Sequence, residues 1–203
     1  MHARSEARPW RNCRARRFLP PGAFVARRRG GPCRVPATEG FPRTLEYQPM
    51  DMSHAGHSIH GAHARAQAVS HGTSNARFEV GLAKDYPGND YDLVACFDCL
   101  HDMGDPAGPA AHIRQSLKPD GTWMIVEPMA GDTLQQNLNP VGRLFYAAST
   151  MICLPTSRSQ KVGASLGPQA GEAKLREVIR AGGFTRVRRA AETPFNMVLE
   201  ARP

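Results

Sequence analysis

Apolar and polar positions follow no period over residues 1–36 and a regular one afterwards. In the first stretch, arginine clusters at 14–17 and 27–29 alternate with Pro20-Pro21, Gly30-Gly31-Pro32 and Pro36. Neither a two-residue nor a 3.6-residue repeat exists there, so no apolar stripe can be buried. From Ala37 the pattern changes. Thr44 to Tyr47 reads as a strand closed by Pro49. Ser58 to Val69 reads as a helix ended at His71-Gly72. Asn75 to Val80 alternates as a strand does.

The clearest pattern lies between Tyr91 and Pro128. Leu93 to Phe97 is a short apolar run of the kind a fully buried parallel strand shows. Pro106 to Leu117 has helix character, with Asp105 as its N-cap and Pro106 in its first turn. Pro119, Asp120 and Gly121 are turn residues, and Thr122 to Val126 is a second apolar strand. Strand, helix and strand of these lengths form a right-handed βαβ crossover. Polar residues (Asp98, His101, Asp102) then fall just beyond the carboxyl end of its first strand, where open α/β sheets bind ligands.

Beyond Pro128 the spacing predicts an apolar helix over Val141 to Leu154, too short to span a bilayer. Its residues Phe145, Tyr146, Met151 and Ile152 are expected either as an apolar substrate wall or as core. Glu172 to Ala181 places Leu175, Val178 and Ile179 on one helix face, closed by Gly182-Gly183. Phe184 to Arg189 and Pro194 to Ala201 read as two final strands.

Charge divides the chain as the pattern does. Residues 1–50 hold 11 Arg against 3 Glu, whereas residues 51–203 hold 15 basic against 15 acidic side chains. The net charge of +8 therefore belongs to one end. Without a recognisable binding motif or interleaved aromatics, that end reads as a solvated, disordered arm rather than a nucleic-acid surface. No run of 18 apolar residues exists, and no secretion signal opens the chain, so neither a membrane span nor export is expected. Five cysteines at irregular spacing argue against a disulfide framework and for a reducing, cytoplasmic setting. Cys96 and Cys99 have CxxC spacing, but Cys96 falls inside a strand. His54, His57, His60 and His63 recur every third residue, a spacing that spreads them around a helix, so no metal site is expected.

Taken in order, these segments resemble the class I S-adenosylmethionine-dependent methyltransferases. The resemblance rests on Asp51 after the second strand, NARFEVGLAKDYP as the third strand and its loop, and YDLVACFDCLHDM as the fourth strand and the motif after it. LKPDGTWMIVEP is similar to the family's fifth-strand turn. LREVIRAGGFTRVRRAAETPFNMVLEARP is similar to its last helix and antiparallel strand pair. The match runs from about Phe41 to Pro203. It implies a Rossmann-like α/β sheet, mostly parallel with an antiparallel C-terminal pair, and S-adenosyl-L-methionine as cofactor. It implies methyl transfer to an O or N atom of a small, fairly apolar acceptor. Residues 37–203 would be the catalytic domain, residues 131–171 its substrate-binding insertion, and a homodimer one expected assembly.

The family's first strand ends in an acid and a glycine-rich turn that lets backbone approach the cofactor. Gly30-Gly31 stands at the corresponding distance before Asp51, with no GxGxG, no preceding acid and no apolar strand beside it, and Arg27–Arg29 are unsuited to a buried central strand. A frameshift, a displaced start or a truncation would produce such a change near Ala37. The resemblance assigns cofactor contacts to Asp51, Met52, Leu82, Ala83, Lys84, Phe97 and Asp98. Leu82 occupies a position where many family members carry an acid. His101 is either the general base, with Asp102 beside it to orient it, or a cap on the turn that follows. Glu127 would line the pocket mouth. A non-catalytic remnant of the fold, serving as an interaction or dimerisation module, is the rival expectation. An NAD-dependent enzyme ranks below both, because it needs the same missing glycine turn.

Overall fold

The computed structural model describes residues 22–27, 44–48, 65–72, 76–78 and 81–203. Its strands are β1 (Gly22–Arg27), β2 (Thr44–Gln48), β3 (Ala76–Phe78), β4 (Tyr91–Phe97), β5 (Leu117–Pro128), β6 (Arg186–Glu192) and β7 (Asn196–Arg202). Helix α1 covers residues 65–70, overlapping the end of the helix expected over Ser58 to Val69 and running one residue past it. It is followed by α2 (Ala107–Ser116), α3 (Pro140–Ala148), α4 (Leu154–Ser159) and α5 (Gly171–Ala181).

The seven strands form one sheet in the order β3-β2-β1-β4-β5-β7-β6. Strands β2, β3, β4, β5 and β6 share one direction, and β1 and β7 oppose them. The mostly parallel sheet with an antiparallel C-terminal pair is therefore present. The βαβ unit is present too, with β4 and β5 paired from Leu93–Thr122 to Phe97–Val126. Its helix starts as the sequence indicates, Asp105 Oδ1 accepting from Gly108 N at 3.0 Å.

Residues 1–36 were expected to be a disordered arm without a central strand, yet Gly22–Arg27 fills the slot between β2 and β4. The cause is local: Ala23 to Ala26 is a short apolar run within the Arg/Pro/Gly text, and β1 stops at Arg27, before the rest of the basic triplet. The strand runs antiparallel to β4, pairing Gly22 with Phe97 and Ala26 with Leu93. Its amino end, not its carboxyl end, therefore meets the edge where β4 terminates.

The core sits under β4, β5 and β7. Trp123, Ile125, Val94, Cys96, Leu199 and Met197 pack with Ala110 and Ile113 of α2 and Leu175 and Ile179 of α5. The Trp123 indole donates to Cys96 Sγ at 3.3 Å. Helices α2 and α5 approach closely at Gly182, where a Cβ would stand 2.5 Å from Ala110 Cβ. No helix among the described residues is long and apolar enough to cross a membrane.

Residues 140–159 form one continuous helical rod whose middle, Ser149–Cys153, is a π turn. Pro155 explains it. Proline lacks an N–H and its ring crowds the carbonyl four residues back, so the helix widens there. The Leu154 N–H reaches back to Ser149 O, five residues away. The expected apolar wall is not what this rod presents inward. Met151 is 80 % exposed and Ile152 58 %, whereas Ser149, Cys153 and Ser157 are buried. Phe145 is half-buried and Tyr146 exposed. The inner face is small and polar because it packs on a polar loop, described next.

Candidate active site

The carboxyl ends of β4 and β5 lie side by side, and both carry polar residues. The β4 backbone leaves the sheet at Asp98, in the left-handed region at φ 47°, a conformation aspartate tolerates better than most side chains. Asp98 N donates to Val126 O at 2.8 Å, which ties the tip of β4 to β5. The chain then makes a single 3-10 turn over Leu100–Asp102.

Glu127, at the end of β5, is 1 % exposed and holds this turn from below. Its Oε1 accepts from Cys99 N at 3.2 Å and Leu100 N at 2.8 Å. Its Oε2 lies 2.5 Å from His101 Nδ1. A carboxylate in that position makes Nδ1 the donor and turns Nε2 away from β5. Nε2 is 3.3 Å from Asp102 Oδ1, a charge contact that makes no hydrogen bond, so this buried oxygen has no hydrogen-bond partner. Cys153, from the π turn, interacts with both His101 and Asp102. One ligand-type atom from each of the three lies within 4.8 Å of the other two, and all three side chains are buried.

The electrostatics follow from this packing. Burial pushes the His101 imidazole down, but the Glu127 carboxylate, the Cys153 thiol and Asp102 outweigh it and hold it up to about 11. His101 is therefore an imidazolium at neutral pH in this state. Burial raises Asp102, with His101 pulling the other way. Burial, then the nearby Glu127 charge, also raises Asp98. Three carboxyl groups around one imidazole make a site short of positive charge.

The α4 end of the rod fastens the loop in place. Ser157 Oγ donates to Met103 O at 2.9 Å, and Gln160 Nε2 to Asp102 O at 2.9 Å. Gly104 N donates to Gln160 Oε1 at 2.9 Å. The following segment adds Ala164 N to Gly104 O and Gly167 N to His101 O. Gly104 permits this approach, since a Cβ there would sit 2.5 Å from Gln160 Cβ.

Of the residues singled out in the sequence, His101 and Asp102 come together as a buried pair, with Glu127 as a third member. Phe97 and Asp98 are half-buried at the strand tip, and Asp98 Oδ1 accepts from Asn196 Nδ2 at 3.4 Å. Leu82 is 42 % exposed; it starts a turn in which Ala83 packs on the core and Lys84 is exposed. Asp51, Met52 and the histidines His54, His57, His60 and His63 lie outside the described residues. Cys153, Ser157 and Gln160 also belong to the site and are not among the residues singled out in the sequence. They sit more than 50 residues after the motif they serve, and only Pro155 hinted at an irregular helix there. Glu127 proves to be an orienting group beneath the loop rather than a residue of the pocket mouth.

Residues 28–162 match a methyltransferase domain family. No curated protein resembles the sequence significantly. Among solved structures, an O-methyltransferase family protein from Burkholderia thailandensis is similar at a TM-score of 0.51 and 19% identity, over 68% of this chain and 39% of that one. PigF with SAH gives 0.53 and 15%, over 71% and 41%. The O-methyltransferase NcsB1 from neocarzinostatin biosynthesis, in complex with S-adenosyl-L-homocysteine and 1,4-dihydroxy-2-naphthoic acid, gives 0.53 and 17%, over 77% and 41%. The chain thus spans well under half the length of these structures.

Proposed function

The chain belongs to the class I S-adenosylmethionine-dependent methyltransferase family, and on that premise we propose that it transfers a methyl group to an oxygen or nitrogen atom of a small, fairly apolar acceptor. The observation that carries the reading is the buried Glu127–His101–Asp102 cluster at the carboxyl ends of β4 and β5. The aromatic diol acid bound by NcsB1 favours oxygen as the acceptor atom.

When bound, S-adenosylmethionine supplies an electrophilic methyl group on a positively charged sulfur. The residues present suit a cation at this edge. Asp98 and Asp102 are buried enough to be pushed up, and Asp102 Oδ1 is an orphaned acceptor. Phe97 and Asp98 at the tip of β4 would hold the methionine part, and Leu82, Ala83 and Lys84 would face the adenine. Asp51 and Met52 would serve the ribose. In the reaction, Glu127 fixes the His101 tautomer through Nδ1 and leaves Nε2 to receive the acceptor's proton. The resting imidazolium must first lose its Nε2 proton. A positive charge brought next to it lowers its pKa and favours that loss. Asp102 stabilises the imidazolium formed after proton transfer. The Ser157 and Gln160 contacts hold the loop so that these groups stay in register.

The antiparallel course of β1 favours a second reading, a non-catalytic remnant. The strand brings Gly22 to the ligand edge, and Gly30-Gly31 follows its far end. Among the described residues, the carboxyl end of β1 lies away from the edge where β4 ends. Calorimetric titration with S-adenosylhomocysteine separates the two readings, and His101→Gln tests the assigned role. Saturable binding, with methyl transfer lost in His101→Gln but binding retained, supports the enzyme.

A further inference from the structure

We propose that His101, Asp102 and Cys153 form a binding site for a divalent zinc ion, with Glu127 as the group that orients the histidine. The chain has brought a thiol, an imidazole and a carboxylate together from two distant segments, with ligand atoms within 4.8 Å of one another. That donor set suits zinc, which takes sulfur, nitrogen and oxygen ligands without a strong preference. Tetrahedral bonds to such ligands would separate the ligand atoms by about 3.3–3.6 Å. The Nε2–Oδ1 distance is already 3.3 Å.

Two independent features point into the same space. The Asp102 side chain is 6 % exposed as a residue, and its Oδ1 has no hydrogen-bond partner. Such an oxygen is costly to bury unless something completes it. Glu127 on Nδ1 also gives the carboxylate–histidine arrangement that fixes a metal-binding tautomer, with Nε2 as the ligand atom. The π turn places Cys153 on the inner face while its neighbours Met151 and Ile152 face out. Such turns occur often at functional sites.

Binding is balanced in charge. The thiol proton and the Nε2 proton are released, and the thiolate and the Asp102 carboxylate offset the two positive charges of the ion. Three protein ligands leave one tetrahedral position for water. With Nε2 on the ion, His101 cannot take a proton, so zinc binding and the base role assigned above exclude one another, and the zinc-bound chain is the inactive form.

The test uses the full chain and does not depend on methyl transfer. Zinc content is measured by plasma mass spectrometry after loading and removal of weakly held metal. Cobalt(II) is then substituted, and the thiolate-to-cobalt charge-transfer absorption is recorded. One metal per chain is expected. The absorption should vanish in Cys153→Ser and persist when Cys33, a cysteine outside the described residues, is replaced by Ser, while Asp102→Asn should weaken binding. Glu127→Gln should cost about 10–100-fold in affinity, as loss of an orienting carboxylate does. Circular dichroism confirms that each variant is folded. If Cys153→Ser does not fold, Asp102→Asn and the wild-type stoichiometry decide. Folded wild type without stoichiometric metal, or an undiminished absorption in Cys153→Ser, overturns the proposal.

Discussion

Replacing Glu127 is the most informative perturbation, because one side chain joins the fold to the chemistry. It accepts from two backbone N–H groups and from His101 while only 1 % exposed. Glu127→Gln keeps the length and one oxygen. That oxygen can serve Cys99 N and Leu100 N, which turns the amide N–H₂ toward Nδ1. The charged hydrogen bond to His101 is then lost, at about 1.5–3 kcal/mol. His101 must also move its proton to Nε2 to accept from the amide, the wrong tautomer for a base. Glu127→Ala is harsher, since it orphans two backbone donors and leaves the imidazole unpaired, at about 3–5 kcal/mol. Urea denaturation of wild type, Glu127→Gln, His101→Gln and the double variant gives the coupling directly. A coupling of about 1.5–3 kcal/mol is expected for residues in one buried network. Methyl transfer in Glu127→Gln should fall by about 10²–10⁴, more than the stability loss alone would produce, because a misoriented histidine loses the tautomer it needs. Additivity within about 0.5 kcal/mol would refute the claim that Glu127 acts through His101.

The other predictions address the elements that hold the site. Gly104→Ala drives a Cβ against Gln160 Cβ and Lys161 O; it should cost about 1–3 kcal/mol in chemical denaturation and speed amide exchange over 101–104. Asn139→Ala removes the N-cap of α3, whose Oδ1 accepts from Gly142 N at 2.8 Å, and should lower stability by about 1 kcal/mol in the same assay. Glu172 and Glu200 are held below the usual carboxylate range; burial raises both, but Arg176 and Arg189 outweigh it for the first and Arg188 and Arg202 for the second. Depressed folded-state values give stability that is present above the ordinary carboxylate range and lost as pH falls through the folded value. Glu172→Gln and Glu200→Gln should therefore lower the melting temperature at neutral pH and flatten the acid limb of its pH dependence, so that variant and wild type converge at low pH.

Periodicity reached the part of the fold that is governed locally. The apolar run before Phe97, the Asp105 cap and the Leu175, Val178 and Ile179 stripe each announce their element through side chains a few residues apart. The direction of β1 could not be read this way. An isolated four-residue apolar run pairs equally well either way round, and only its register with Phe97 and Leu93 decides. The site was half legible. His101 and Asp102 follow a strand end, a place where chemistry is expected. Cys153 required knowing that Pro155 would open a π turn and rotate a cysteine inward. The outward face of Met151 and Ile152 reversed the usual rule because the inner partner of that helix is a polar loop, which small hydroxyl and thiol groups satisfy better than large apolar ones.

Isothermal titration of the folded full chain with S-adenosylhomocysteine decides whether the chain binds the cofactor of its family. Saturable one-to-one binding is expected, carried by the β4 and β5 side of the edge and weakened when Asp98 is replaced by Ala. No heat at millimolar ligand, from a chain shown to be folded, would contradict it and leave the fold without the activity of its family.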